Sequence, residues 1–303
     1  MACESSQQFY HSGLWHGPYP GGAPAVFISA AARMGVSAGI ISSVGDDGFG
    51  SLCLERLRSD GVDLHSVSIS HEHATACAFV TYHKSGDRSF IFYLNNTAAG
   101  KINPDSIQES WLADCRYFHV TGTSLTIPGV FEGYLKTSRI VRALGGIISF
   151  DPNVRPELIA QNPDLKNRIM DVYKKCDILL PGKDELSLLT GTDDMEKSLA
   201  TVFRDTGTKH VIIKQGQHGC HYASPSESFS VPPYQVMEND PTGAGDCFDG
   251  TFVAMLALGK SIREAIMLAS AAGAFCVTRK GAMEGAGSLL ELHAFAHANQ
   301  LRT

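Results

Sequence analysis

The sequence predicts an α/β protein, a mostly parallel sheet flanked by helices with a small β-sheet to one side as a lid. Three observations predict it. Short apolar runs alternate with stretches of helical period along most of the chain. The alternation breaks once, within about 72–100, for two strand-like runs around a turn. Polar clusters follow three strand candidates, the position at which open α/β sheets bind ligands.

Each element has a local reason. The run 24–34 opens with Pro24 and stops at Gly35, the asymmetry expected of a helix. Residues 38–44 form an apolar run that suits a short buried strand. From 48 to 60 a helical period turns Phe49, Leu52, Leu54 and Leu57 inward before Gly61 ends it. Runs 75–82 and 89–93 flank Lys84-Ser85-Gly86-Asp87, which has the chemistry of a hairpin turn. Further strands are expected at 116–121, 147–151, 177–180, 210–214, 220–223 and 228–231. Further helices are expected at 128–143, 164–175, 183–190, 243–258, 261–279 and 288–300. No internal repeat or low-complexity linker divides the chain, so residues 1–303 read as one domain with the 72–100 excursion.

Charge and cysteine usage narrow the function. The formal net charge is −6 and Lys and Arg occur singly or in pairs, so nucleic acid is not an expected partner. No apolar stretch reaches the roughly 18 residues that span a bilayer, and no signal segment opens the chain, so no membrane partner is expected. The eight cysteines form no Cys-x-x-Cys pair and lie mostly in apolar runs, which reads as buried thiols in a reducing, cytoplasmic setting. An anionic ligand must then be held by local features.

The richest local feature is Asp240-Pro-Thr-Gly243-Ala244-Gly245-Asp246, which runs into an apolar helix. Gly243 and Gly245 remove side chains where backbone must approach a ligand closely. The helix start offers unpaired N–H groups and the positive end of its dipole, a ready anion site. Asp246 beside such a site could accept a proton from an attacking hydroxyl. An isolated Gly-x-Gly-Asp is more often an ordinary helix opening, and no Gly-Lys-Ser/Thr follows to make a Walker loop. The residues alone give an anion nest with an acid beside it.

That stretch resembles the signature of the ribokinase-like (PfkB) carbohydrate kinases, usually Asp-Thr-x-Gly-Ala-Gly-Asp. Other motifs match in order. They are Pro20-Gly-Gly-Ala-Pro-Ala25 through Gly35, Val44-Gly-Asp-Asp-Gly-Phe-Gly50, Gly61-Val-Asp63, Asp151-Pro-Asn153-Val-Arg155, Glu185 in a Pro-x-x-x-Glu pattern, and Lys214-x-Gly216-x-x-Gly219. The resemblance implies a ribokinase-like fold and transfer of phosphate from ATP to a sugar hydroxyl. It implies Asp246 as base, with Gly243, Ala244 and Gly245 as the anion hole. Gly21, Gly22, Asn153 and Arg155 would meet the substrate, and Lys214, Gly216, Gly219, Gly243 and Gly245 the nucleotide. Glu185 would position Mg2+ through water, and Asp240 would mark a monovalent-cation site.

The sequence departs from the family pattern in places. Residues 1–19 show no apolar strand, so the first family strand is expected to be missing. Val26 stands where many members have Asn, Gly182 where many have Asn or Ser, and Pro241 where Thr is usual. The first motif and the segment Phe92 to Gly100 are closest to tagatose-type and 2-keto-3-deoxygluconate-type kinases. An Arg such as Arg88 or Arg155 would suit an acidic sugar. The alternatives are a non-catalytic sugar- or nucleotide-binding protein on the same fold, and a vitamin or nucleoside kinase. The lid, a small sheet with edges to cover, points to a homodimer.

Overall fold

A computed structural model describes residues 2–3, 14–82, 88–154, 158–159 and 162–299, with backbone alone for Ala2, Cys3 and Arg88. The turn Lys84–Asp87, Arg155 and the Arg88 side chain therefore lie outside the described residues.

The main sheet grows from apolar runs too short for helices. Strands β7 (Tyr117–Thr121), β8 (Ile147–Asp151), β9 (Ile178–Leu179) and β10 (His210–Lys214) pair in parallel, and β11 (Cys220–Ala223) and β12 (Ser228–Val231) extend the sheet antiparallel. Ile148, Phe150, Leu179, Val211, Ile212 and Ile213 are all buried, the pattern of strands covered on both faces. Helix α3 (Pro128–Ala143) lies against β7 and β8, and α4 (Asp164–Tyr173), α5 (Lys183–Thr190) and α6 (Met195–Asp205) complete that part of the chain.

The C-terminal helices behave differently. α7 (Ala244–Ala257) packs between α1 (Ala23–Ala32) and α8 (Ile262–Val277), and every residue from Cys247 to Met255 is buried. A helix enclosed on all sides has no polar face to keep in water. α9 (Leu289–Ala298) caps this layer against α8. A second, parallel pair, β3 (Ser42–Gly45) with β4 (Val67–Ser70), stands apart from the main sheet, and α2 (Gly48–Ser59) follows β3.

The accessory sheet is built on the hairpin β5 (Cys77–Tyr82) and β6 (Arg88–Tyr93), in register from Cys77↔Tyr93 to Tyr82↔Arg88. Two short strands join it, β1 (Ala2–Cys3) and β2 (Trp15–His16), in the order β2-β1-β5-β6. Part of the segment expected to lack a strand thus belongs to the small sheet. Among the described residues, β3 and β7 belong to separate sheets, and residues of both line one cavity.

Two elements escape the expectations from periodicity. β4 is four residues long, and its run Val-Ser-Ile-Ser leaves Ile69 exposed, so it carries little apolar signal. Helix α6 is the other, although Met195, Leu199, Val202 and Phe203 recur at helical spacing against the core, and Asp194 caps it by accepting from the Glu196 and Lys197 N–H groups. Phe49, expected inward, is 44% exposed and lines the cavity, while Leu57 from the same helix is buried.

One close approach sets where the catalytic segment sits. A Cβ on Gly250 of α7 would fall 2.2 Å from the Phe27 carbonyl oxygen of α1. Only glycine permits that backbone contact. Gly250→Ala must push α1 and α7 apart, and a loss of roughly 1–3 kcal/mol is expected, read as a lower melting temperature. An unchanged melting temperature would show that the helices separate without cost.

Candidate active site

The candidate base stands in the first turn of α7. Gly243 is the helix N-cap, with φ 86° in the left-handed region. A Cβ there would meet the Ala282 carbonyl oxygen at 2.5 Å and Val26 Cγ1 at 3.2 Å. Val26, which departs from the family's Asn, therefore packs under the opening of the helix and is 1% exposed. Gly21 also reaches Ala282, at 3.5 Å from a built Cβ to the Ala282 side chain. Ala282 thus joins the Gly21-Gly22 segment to the Gly243–Gly245 turn. Gly22, at φ 98°, opens α1 from the other side.

Asp246 Oδ1 lies 3.4 Å from Asn153 Nδ2, a contact that joins segments 93 residues apart. Asn153 has φ 39°, a conformation that Asn tolerates better than most residues. Its backbone is held by the preceding acid, since its N–H donates to Asp151 Oδ1 at 3.0 Å. Asp246, Gly243, Gly245, Gly21 and Gly22 line one cavity of about 1330 Å³. From this end the cavity runs on between β3 and β7, past Ile40, Ser42, Tyr117 and His119. Only part of its volume therefore belongs to a substrate cleft.

Beneath the turn lies a buried charge cluster. Lys214 Nζ donates to Asp249 Oδ2 at 2.7 Å and sits 3.0 Å from Asp151 Oδ2. A Cβ built on Gly245 would be 3.6 Å from the same Nζ. Burial works against the Lys214 ammonium, but Asp151 and Asp249, with Glu185 further off, raise its pKa above the ordinary lysine value. Burial would lift Asp151, and Lys214 outweighs it and holds that carboxyl low. Asp249 goes the other way: burial, with Asp151 alongside, pushes it well above the usual carboxylate range despite Lys214. One ammonium thus faces one carboxylate held ionised and one pushed toward its acid form.

Glu185 ties two loops together. Its Oε2 accepts from the Gly182 N–H and its Oε1 from the Val154 N–H, each at 2.7 Å. Burial first, and the Asp151 charge second, raise its pKa. Among the described residues, no group of three His, Cys, Asp or Glu side chains could hold a metal directly. A half-buried carboxylate with spare lone pairs fits a magnesium ion that keeps its own waters.

Two predicted residues serve the loops visibly. Asp240 accepts from the Thr242 N–H at 2.9 Å and the Gly281 N–H at 3.0 Å, so it staples the signature loop to the loop that carries Ala282. A monovalent cation there would share a carboxylate already committed to two donors. Gly219, at φ 84°, lets the backbone of Val231 pass where a Cβ would be 2.1 Å from its carbonyl oxygen. Gly216, at φ 55°, opens the same turn, and neither glycine is in contact with the Asp246 cluster in the described interactions. All seven cysteines from Cys53 onward are free thiols, of which Cys53, Cys77 and Cys115 line the cavity half-buried.

Two residues of the cluster had no role in the sequence expectations. Asp249 stands three residues after Asp246 in an otherwise buried helix, and that lone acid among apolar residues is the signal it offers. His119 offers none in sequence. It stacks on Phe27 with ring centroids 3.7 Å apart, and its Nδ1 lies 3.0 Å from Ser149 Oγ.

Comparison with known proteins agrees with this geometry. The family described as pfkB family carbohydrate kinase matches residues 17–287, so the chain belongs to it: this is a sugar kinase that uses ATP. Among curated relatives, the probable fructokinase-4 of Arabidopsis thaliana is 30% identical over 92% of this chain and 88% of its own length. Fructokinase-1 of Oryza sativa subsp. japonica is 32% identical, over 87% and 84%. Among solved structures, an E. coli protein provisionally described as ribokinase II superposes with TM-score 0.92 at 43% identity, covering 98% of this chain and 95% of that one. Another structure with that description contains ATP and Mg2+. A Vibrio cholerae fructokinase with bound fructose, ADP and calcium superposes at TM-score 0.83 with 26% identity, covering 97% and 95%. Among the described residues, no helix is long and apolar enough to cross a membrane.

Two outcomes are expected here. Burial drives the His119 pKa from 6.5 down to about 3. Between those values the unfolded chain binds a proton that the folded chain refuses, so stability is lost as pH falls below about 6.5. Thermal melts from pH 7 to 4 should fall more steeply for wild type than for His119→Gln; parallel slopes would refute a buried neutral imidazole. Gly243→Ala should cut turnover by about 10-fold or more while the chain still folds, because the turn must shift away from Ala282. Steady-state kinetics with ATP and a sugar read that change.

Proposed function

We propose that this kinase phosphorylates a hydroxyl of a ketohexose, with Asp246 as the base and the Gly243-Ala244-Gly245 turn as the anion hole. The observation that carries the reading is the convergence of Asn153, Gly243 and Gly21-Gly22 on Asp246 at one end of the cavity.

In the proposed reaction the sugar hydroxyl gives its proton to Asp246 while its oxygen bonds to the γ-phosphorus, and ADP leaves. The N–H groups of the helix opening face the charge on the transferring phosphoryl group, and the helix dipole adds to them. Asn153 keeps the Asp246 carboxylate turned toward the cavity. Magnesium would be held through water by Glu185, and when bound it supplies positive charge to the phosphates. Gly216 and Gly219 would let the nucleotide lie against the backbone after β10, and Arg155 would add a cation over the substrate or phosphate.

The cavity walls support that substrate class. The described side chains that line the cavity with Asp246 include Tyr19, Cys53, Thr75, Cys77, Phe90 and Phe92. The cavity's described basic residues, Arg116 and His119, stand on β7 or just before it, and the Arg116 guanidinium donates to the Ala257 carbonyl. Among the described residues the cavity thus offers hydroxyls, thiols and aromatic faces, which suit an uncharged sugar. The fructokinases among the relatives point the same way.

The test is an ADP-release screen with magnesium across aldoses, ketoses, keto-deoxy acids and nucleosides. Turnover on fructose or tagatose, lowered about 10²–10⁴-fold by Asp246→Asn, is expected. Turnover confined to keto-deoxy acids or nucleosides would overturn the ketohexose reading. Full activity of Asp246→Asn would overturn the base.

A further inference from the structure

We infer that Lys214 and Asp249 are positioning residues for phosphoryl transfer: with Asp151 they form a hydrogen-bonded Lys-Asp-Asp triad that locks the anion-hole helix to the loop orienting the base. This rests on the reading of Asp246 as base and of the Gly243–Gly245 turn as anion hole.

The triad joins three elements. Lys214 ends β10, Asp151 ends β8, and Asp249 lies one turn into α7. The distances are 2.7 Å to Asp249 and 3.0 Å to Asp151, and the carboxylate side chains are 0% and 4% exposed. The ammonium lies under Gly245, 3.6 Å from where its Cβ would be, so fixed positive charge sits directly behind the anion hole. Through its other oxygen Asp151 holds the Asn153 N–H, and the Asn153 side chain donates to Asp246. One cation thus governs both halves of the reaction geometry, the hole from below and the base from the side.

The spare oxygen of Asp249 singles out this residue. Asp249 Oδ1 is buried with no N–H or hydroxyl donor among the described residues, and the Asp249 carboxyl has only the Asp151 carboxyl besides Lys214 to meet. A buried polar atom left in that state is costly, and a purely structural helix position would carry an apolar side chain. Its Oδ2 explains its presence, because Lys214 would otherwise be held by Asp151 alone and free to swing away from Gly245. Glu185 acts on the cluster only from further off, through its charge.

Variants separate positioning from mere folding. Lys214→Met leaves two buried acids without a cation, so both stability and kcat should fall. Lys214→Met/Asp249→Leu removes the pair and its desolvation together, so the melting temperature should recover toward wild type. In this double variant kcat should stay about 10-fold or more below wild type, with the sugar KM within about 3-fold. Recovery of kcat along with stability would overturn the inference, as would a loss carried by the sugar KM alone. Should the double variant not fold, Asp249→Asn decides: it keeps the shape but weakens the hold on the ammonium. A several-fold loss of kcat at unchanged KM supports the inference, and wild-type kcat ends it. Asp246→Asn is assayed alongside. If it is fully active the base reading fails, whereas an inactive Asp246→Asn beside a fully active double variant sinks only the triad.

Discussion

The Lys214 ammonium is the charge around which the rest of the site is arranged. It is 17% exposed, and an ammonium so placed is tolerated only where acids surround it. Asp151 and Asp249 meet that need from the end of β8 and the first turns of α7. Because β8 and β10 are both paired to β9, the positions of the two strand ends are set by the sheet. α7 must then approach those ends closely enough for Asp249 to reach. The charge requirement thus fixes a helix against a sheet edge, and with it the turn that opens the helix.

Backbone approach is the second constraint. Gly250 lets α7 lie on α1, and Gly243 lets the same helix begin against Ala282. Both contacts would be blocked by a single carbon. Val26 then closes the space beneath Gly243 with an apolar side chain, which is why that position carries no polar group here. Asp240 holds the two loops concerned through two backbone N–H groups. The result is a rigid opening turn that loses little order on binding an anion, the form that preorganised stabilisation of charge requires.

β3 and β7, strands of separate sheets, line one cavity. Each of these strands has a partner on one side and faces the cavity on the other. The cavity there is lined by side chains such as Ile40, Tyr117 and Leu125. The accessory sheet meanwhile gains β1 and β2 beside its hairpin, which covers one edge of β5.

Much of this was written in local pattern. The strands 147–151 and 210–214 and the helices 128–143 and 183–190 end where apolar period and turn residues say they should, because those signals act within a few residues. The signature loop, its left-handed Gly243 and the acid in the first turn of α7 are local in the same sense. β4 escaped because it is too short for a period, whereas α6 carries a helical period, Met195, Leu199, Val202 and Phe203, within a polar stretch. The tertiary structure alone decided the partners of charge: Lys214 meets Asp249 across 35 residues, and Asn153 meets Asp246 across 93. No spacing rule encodes such pairs, since they depend on where strand ends and helix starts are carried by the sheet. By itself the sequence therefore determined an anion nest with an acid beside it, and only packing decided which buried ammonium stands behind the nest and which amide turns the acid toward the cavity.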